Sequence, residues 1–319
     1  MMKMPQIFFD DVSKVYGYTK KHHALQNFVL SLERGEFMGL VGPNGSGKST
    51  ALKILTNVAF PTSGRVEING ICVNEDPEGA LSGVGSLVDV QGFDTYHTPR
   101  SFYKYCGTLI GLDKETISSE IDRVLNSLDM DKWADWRINK FSKGMKQRIA
   151  LGQALLGDPE ILVMDEPLSG LDPDSNESIS KMLASLKNEM NKKTVIMTTH
   201  NLSEVYRLCD SIAVIDSGRL VAKKSIDDQG HQERSIRMRV NSLQPLGDVD
   251  ISRLQSEDFI YKVETGGNET IISISNDEES KSRLITLLDR LGIEIYEISE
   301  EEDYIEKYRE LLKSGEHPQ

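Results

Sequence analysis

The chain has 319 residues, a length that suits two domains better than one small core or three ordinary ones. Hydrophobic residues at 38% and charged residues at 27% describe a folded protein, and 37 basic against 50 acidic side chains leave a net charge of -13 that argues against non-specific binding to nucleic acid, so no such partner is expected. There is no apolar run of about 18 residues to span a bilayer and no apolar core of a signal peptide, and Cys72, Cys106 and Cys209 form no CxxC pair; these features argue against a disulfide framework or a zinc site and place the protein in a reducing cytoplasm.

In chain order, Gln6 to Leu32 reads as two extended strands joined by a polar turn, Gly17 to His22. Short apolar runs then alternate with helical patterns, as in an α/β sheet domain. The predicted strands are Phe37 to Val41, Arg65 to Ile68, Gly85 to Val88, Ile161 to Met164, Val195 to Thr198 and Ile212 to Ile215. The predicted helices are Lys48 to Asn57, Pro99 to Ile110, Lys114 to Leu128, Ser142 to Leu156, Pro173 to Asn191 and Leu202 to Leu208. Ser217-Gly218 reads as a tight turn into Arg219 to Ala222.

A polar stretch around Ser225 to Glu233 marks a boundary, which divides the chain into residues 1–228 and 229–319. Beyond it, Ile236, Met238 and Val240 alternate at strand period, as do Phe259, Tyr261 and Val263. Gly266-Gly267-Asn268 offers a hairpin turn into Ile271 to Ile274, and Leu284, Leu287, Leu288 and Leu291 share a helical face. With a short helix around Ile251 to Leu254, a strand beginning at Ile293 to Tyr296 and a last helix at Tyr304 to Leu312, the order is β-α-β-β-α-β plus a helix. That order predicts a small α+β, ferredoxin-like module. It is acidic, with 20 acidic to 11 basic side chains over residues 231–319, which a solvated surface accounts for.

Gly42-Pro43-Asn44-Gly45-Ser46-Gly47-Lys48-Ser49 matches G-x-x-x-x-G-K-[ST] in full, between a predicted strand and a predicted helix. Such a loop turns successive N–H groups towards phosphate oxygens, and the helix start adds favourable partial charge. Lys48 is expected on the β and γ phosphates, and Ser49, with Thr50 beside it, on Mg²⁺. Ile161 to Met164 ends in Asp165 and Glu166, at a sheet edge where ligands bind in open α/β folds. Asp165 suits a hold on Mg²⁺, and Glu166 suits polarising an attacking water. His200 ends the strand Val195 to Thr198; spacing alone leaves it between a structural histidine and a γ-phosphate contact. Ser142, Lys143 and Gly144 open another helix, where a hydroxyl and a glycine N–H make either a simple cap or a second anion site, about a hundred residues from the first.

Taken together, VGPNGSGKST, FSKGMKQR, ILVMDEP, SGLD and TTH, in this order and spacing, resemble the ATP-binding subunits of ABC transporters from Pro5 to about Ala222. The resemblance implies a RecA-like P-loop core with antiparallel β and helical subdomains. It also implies ATP and Mg²⁺ as cofactors and a head-to-tail dimer, homo- or heteromeric, in which each ATP lies between one subunit's P-loop and the other's signature segment. On that basis Ser142, Lys143 and Gly144 meet the partner's nucleotide, Asp172 couples the two sites, Tyr16 stacks on adenine and His200 touches the γ phosphate. The signature departs from the usual Leu-Ser-Gly-Gly-Gln, and its SKGM form looks like the ATPase subunits of bacitracin and drug exporters. In the Q-loop, Asp89 stands where glutamine is usual and Gln91 follows two residues later, so either takes the Mg²⁺ and coupling role.

The resemblance therefore implies an ATPase subunit of an exporter, peripheral on the cytoplasmic face of the membrane. It would energise a separate permease that docks on Asp89 to Tyr105. A non-transport ABC ATPase working in translation, on DNA or as a regulatory switch is the alternative. A second ATPase domain or a long coiled coil would point to it, and the sequence contains neither.

Overall fold

The computed structural model describes residues 5–17, 20–88, 96–188, 193–226, 235–275 and 278–301. They form two compact units that divide between Ser225 and Ile226. The boundary expected at 228/229 lies outside the described residues, as does the helix expected at Tyr304 to Leu312.

The first unit begins with β1 (Ile7–Tyr16) and β2 (His22–Leu32), followed by β3 (Phe37–Val41), α1 (Lys48–Leu55), β4 (Ser63–Ile68), β5 (Ile71–Cys72), α2 (Pro77–Leu81) and β6 (Val84–Leu87). Next come α3 (Pro99–Leu109), α4 (Ile117–Ser127) and α5 (Lys143–Leu155), then β7 (Ile161–Asp165), α6 (Pro173–Asn188), β8 (Thr194–Thr199), α7 (Leu202–Leu208), β9 (Ser211–Asp216) and β10 (Arg219–Ser225).

These strands make two sheets. One is antiparallel in the order β2-β1-β4-β5; the other runs β10-β9-β3-β8-β7-β6 and is parallel apart from β10. Every residue of β3 and of β8 is buried, as expected for parallel strands covered on both faces. Phe9, Phe28, Leu30, Leu40, Leu52, Ile54 and Val66 belong to one core that joins α1 to both sheets.

Local chemistry sets the helix ends. Thr98 and Ser101 form a capping box ahead of α3, with Pro99 in the first turn. The start predicted for α4 at Lys114 gives way to Ile117, because the Asp113 carboxylate captures the N–H groups of Glu115 and Thr116 at 2.9 and 2.8 Å. Helix α1 stops at Leu55 rather than Asn57, which turns left-handed at φ 57°. The short β5 and α2 have no counterpart among the predicted elements.

The second unit contains β11 (Ser235–Ser242), α8 (Asp248–Gln255), β12 (Ile260–Gly266), β13 (Glu269–Ser275), α9 (Glu278–Arg290) and β14 (Ile295–Glu301). Its sheet is antiparallel in the order β12-β13-β11-β14, so the first and third strands lie at the centre, as in the ferredoxin-like arrangement. Gly267 takes φ 67° in the two-residue turn between β12 and β13. Met238, Val240, Leu254, Phe259, Ile272, Ile274, Leu284 and Leu288 form a core of this unit's own.

Candidate nucleotide-binding site

The loop between β3 and α1 is held from below. Ser217 and Gly218, both left-handed, turn β9 into β10, and the Gly218 N–H donates to Ser46 O at 2.8 Å. Gly47 sits at φ 112°, and a Cβ there would lie 2.4 Å from Ala24 O, so only glycine fits. Gly47 is also the residue before α1, which consequently starts without a capping side chain and leaves its first N–H groups for an anion.

Within this loop Pro43, Asn44 and Gly45 are exposed, Ser49 is exposed and Thr50 half-buried in the first turn. Ser46 is buried and its hydroxyl has no hydrogen-bond partner. Lys48 is buried too, and its ammonium donates to Gly42 O at 2.7 Å and Pro43 O at 3.0 Å. Burial pushes the Lys48 pKa below its ordinary value, an effect that the nearby Glu166 and Asp165 carboxylates oppose.

Both acids stand at the end of β7, next to β8. The Thr198 hydroxyl donates to Asp165 Oδ1 at 2.5 Å. Glu166 is left-handed at φ 46°, and its N–H donates to Thr198 Oγ1 at 2.9 Å and to Thr198 O at 3.2 Å. His200 is exposed, with Nδ1 3.4 Å from Glu166 Oε1, at the long end of hydrogen bonding. The turn carrying His200 is pinned on both sides. Thr199 donates to the buried Glu204 carboxylate at 2.7 Å and accepts from Asn201 N at 3.0 Å, while Asn201 caps α7 through Ser203 N.

The expected signature residues form a second cluster, at the starts of α5 and α6. Ser142 caps α5 by accepting from Met145 N at 3.2 Å. Asp172 caps α6 by accepting from Ser175 N at 3.0 Å, which lowers the Asp172 pKa. A Cβ on Gly144 would lie 2.4 Å from Ser175 Oγ, so the two helix starts touch, and the Lys143 ammonium lies against Gly170. Gln147 ties this cluster to the acid pair by donating to Pro167 O at 2.9 Å. Tyr16 ends β1 exposed, with the Lys14 ammonium 4.8 Å from its ring centroid. Asp89 and Gln91 lie outside the described residues.

Three contacts escaped the sequence reading: those of Thr198, Glu204 and Gln147. The signal for the first was a hydroxyl directly after the apolar run Val195 to Met197 in a wholly buried strand; the other two sit on helices as ordinary polar residues. Among the described residues, no group of three or more His, Cys, Asp or Glu is arranged to hold a metal ion. One hydroxyl and one carboxylate, Ser49 and Asp165, are the donor set that Mg²⁺ uses when phosphate and water complete its shell, so these residues fit it.

The ABC transporter family profile matches residues 25–169. The bacitracin transport ATP-binding protein BcrA of Bacillus licheniformis is 30% identical over 309 residues, covering 96% of this chain and 96% of that one. The Nod factor export ATP-binding protein I of Rhizobium etli is 34% identical over 222 residues, covering 70% and 69%. Among solved structures, the dimeric post-hydrolysis state of the ATP-binding cassette MJ0796 bound to ADP and Pi superposes with a TM-score of 0.63 at 26% identity, covering 69% of this chain and 98% of that one.

Proposed function

We propose, from the premise that this chain belongs to the ATP-binding subunits of ABC transporters, that it powers export through a separately encoded membrane permease. As a member of that family it binds and hydrolyses ATP. One observation carries the transport reading: the similarity to a bacitracin transport subunit spans both units, not the ATPase unit alone. Export is the direction named for the Nod factor relative. Among the described residues no helix is long and apolar enough to cross a membrane. The subunit then works at the cytoplasmic face, and the permease seats on the segment Asp89 to Tyr105.

The chain's own groups divide the work. Lys48 turns from the Gly42 and Pro43 carbonyls to the β and γ phosphates, and the unpartnered Ser46 hydroxyl takes a phosphate oxygen. Ser49 and Asp165, with Asp89 or Gln91, would hold Mg²⁺, which when bound would neutralise charge on the phosphates. Glu166 orients the attacking water and accepts its proton, and His200 contacts the γ phosphate from the next strand. Tyr16 stacks on the adenine. Ser142, Lys143, Gly144 and Asp172 have their own helix starts, so they serve the nucleotide of a second subunit, whether a copy or a homologue.

The test is co-expression with the product of a neighbouring permease reading frame, followed by purification from solubilised membranes. Co-purification with stimulated ATP hydrolysis is expected. An ATPase that stays in the soluble fraction, with a rate indifferent to the permease, would overturn the transport reading in favour of a non-transport ATPase.

A further inference from the structure

Thr198 is fully buried as the next-to-last residue of β8, after the apolar run Val195 to Met197. A valine has the same branched shape and the same fitness for a strand. It would also avoid placing a hydroxyl away from water, which is unfavourable unless the hydroxyl is bonded. Folding alone therefore gives no reason for threonine here. The hydroxyl is accounted for by its partners: it donates to Asp165 Oδ1 and accepts from the Glu166 N–H at 2.9 Å. One oxygen thus bridges the side chain of one acid and the backbone of the next.

That bridge sits where the backbone is strained. Glu166 is left-handed at φ 46°, a conformation that costs a non-glycine residue free energy and that clusters at working sites. Pro167 disfavours the right-handed helical alternative for Glu166, and the paired bonds from its N–H to Thr198 Oγ1 and Thr198 O hold what remains. We propose that Thr198 is a positioning residue for hydrolysis: its hydroxyl fixes the rotamer of Asp165 and the left-handed turn of Glu166, and so sets the distance between the metal-holding carboxylate and the water-orienting one. The inference rests on the roles given above to Asp165 and Glu166.

The experiment uses the full chain with Mg²⁺-ATP. Thr198→Val should lower kcat about 10–100-fold, the usual effect of losing an outer-shell partner of a metal or catalytic group. It should also raise the Mg²⁺ concentration at half-maximal rate, with KM for ATP within about twofold of wild type because Lys48 and its loop are untouched. Thr198→Ser, which keeps the oxygen and loses only the methyl, should recover most of the rate. Melting curves of both variants check the fold. Equal losses in Thr198→Val and Thr198→Ser would show that keeping the hydroxyl does not preserve the rate and overturn the proposal, as would a Thr198→Val enzyme with wild-type kcat and Mg²⁺ dependence. Asp165→Asn and Glu166→Gln are measured alongside. Wild-type turnover in both would remove the roles on which Thr198 acts, and the proposal with them. Slow turnover in both beside an unaffected Thr198→Val would overturn the proposal alone.

Discussion

Replacing Gly152 by alanine tests whether the signature helix is seated as the structure has it. Gly152 lies inside α5, where alanine is intrinsically better by about 1 kcal/mol. An exposed site would gain that amount. Here a Cβ would fall 2.0 Å from the Tyr103 hydroxyl, 2.7 Å from Tyr103 Cζ and 2.7 Å from Leu128 Cδ1. Tyr103 is fully buried and its hydroxyl donates to Ile149 O at 3.0 Å, so it has no free direction in which to yield. Overpacking costs about 1–3 kcal/mol, and breaking the buried hydrogen bond adds about 1–3 kcal/mol. After the helix-propensity gain, the net loss is about 3 kcal/mol, or roughly 6–12 °C in Tm for a unit of this size.

The consequence for function follows from position. Helix α3 carries Tyr103 and α5 carries Ser142 at its cap, so a shifted α5 displaces the second anion cluster and leaves Lys48 alone. ATP binding to the monomer should persist while hydrolysis falls. In a Tyr103→Phe background the nearest clashing atom is gone, and Gly152→Ala should cost at least about 1 kcal/mol less. Thermal melts of the four proteins, with nucleotide binding and ATPase rates, measure all of this. A Gly152→Ala variant as stable as wild type or more so would show that α3 and α5 do not approach as described.

Glu166→Gln should keep ATP binding, slow hydrolysis by about 10²–10⁴-fold and accumulate an ATP-bound dimer on gel filtration; wild-type turnover would rule out Glu166 as the base. Ser142→Ala should impair hydrolysis with monomer ATP affinity nearly intact, and mixing it with Lys48→Ala should restore part of the activity through one intact composite site, whereas a mixture no better than either variant would remove the support for a shared site. A chain ending at Ser225 should melt cooperatively and bind Mg²⁺-ATP, since the described nucleotide-site residues precede it; a folded but non-binding product would place part of the site in the tail. Burial pushes the Cys209 and Cys106 thiols up, so the half-buried Cys72 should be alkylated first in the native protein; prior labelling of Cys209, read by mass spectrometry, would contradict its burial.

Much of this molecule is written in runs of adjacent residues. The strand Phe37–Val41 and the helix Leu202–Leu208 have their predicted bounds, because a strand buried on both faces reads as an unbroken apolar run and Asn201 announces the helix it caps. The phosphate loop is legible for the same reason: its chemistry needs glycines, a lysine and a hydroxyl in consecutive positions. Alternation in the tail likewise gives the β-α-β-β-α-β order, and connection rules leave few sheets that order can form. Small local departures, such as Asp113 delaying α4, depend on which of two hydrogen bonds a side chain takes, and propensity does not decide that. The bridge from Thr198 to Asp165 and Glu166 is different in kind. It joins residues more than thirty positions apart, and it exists because β8 lies parallel to β7 with Thr198 opposite Asp165. Strand order and register follow from burying all the strands in one sheet at once, so the contacts that aim the two acids, and the packing of Tyr103 into the space left by Gly152, were decided by the tertiary structure alone.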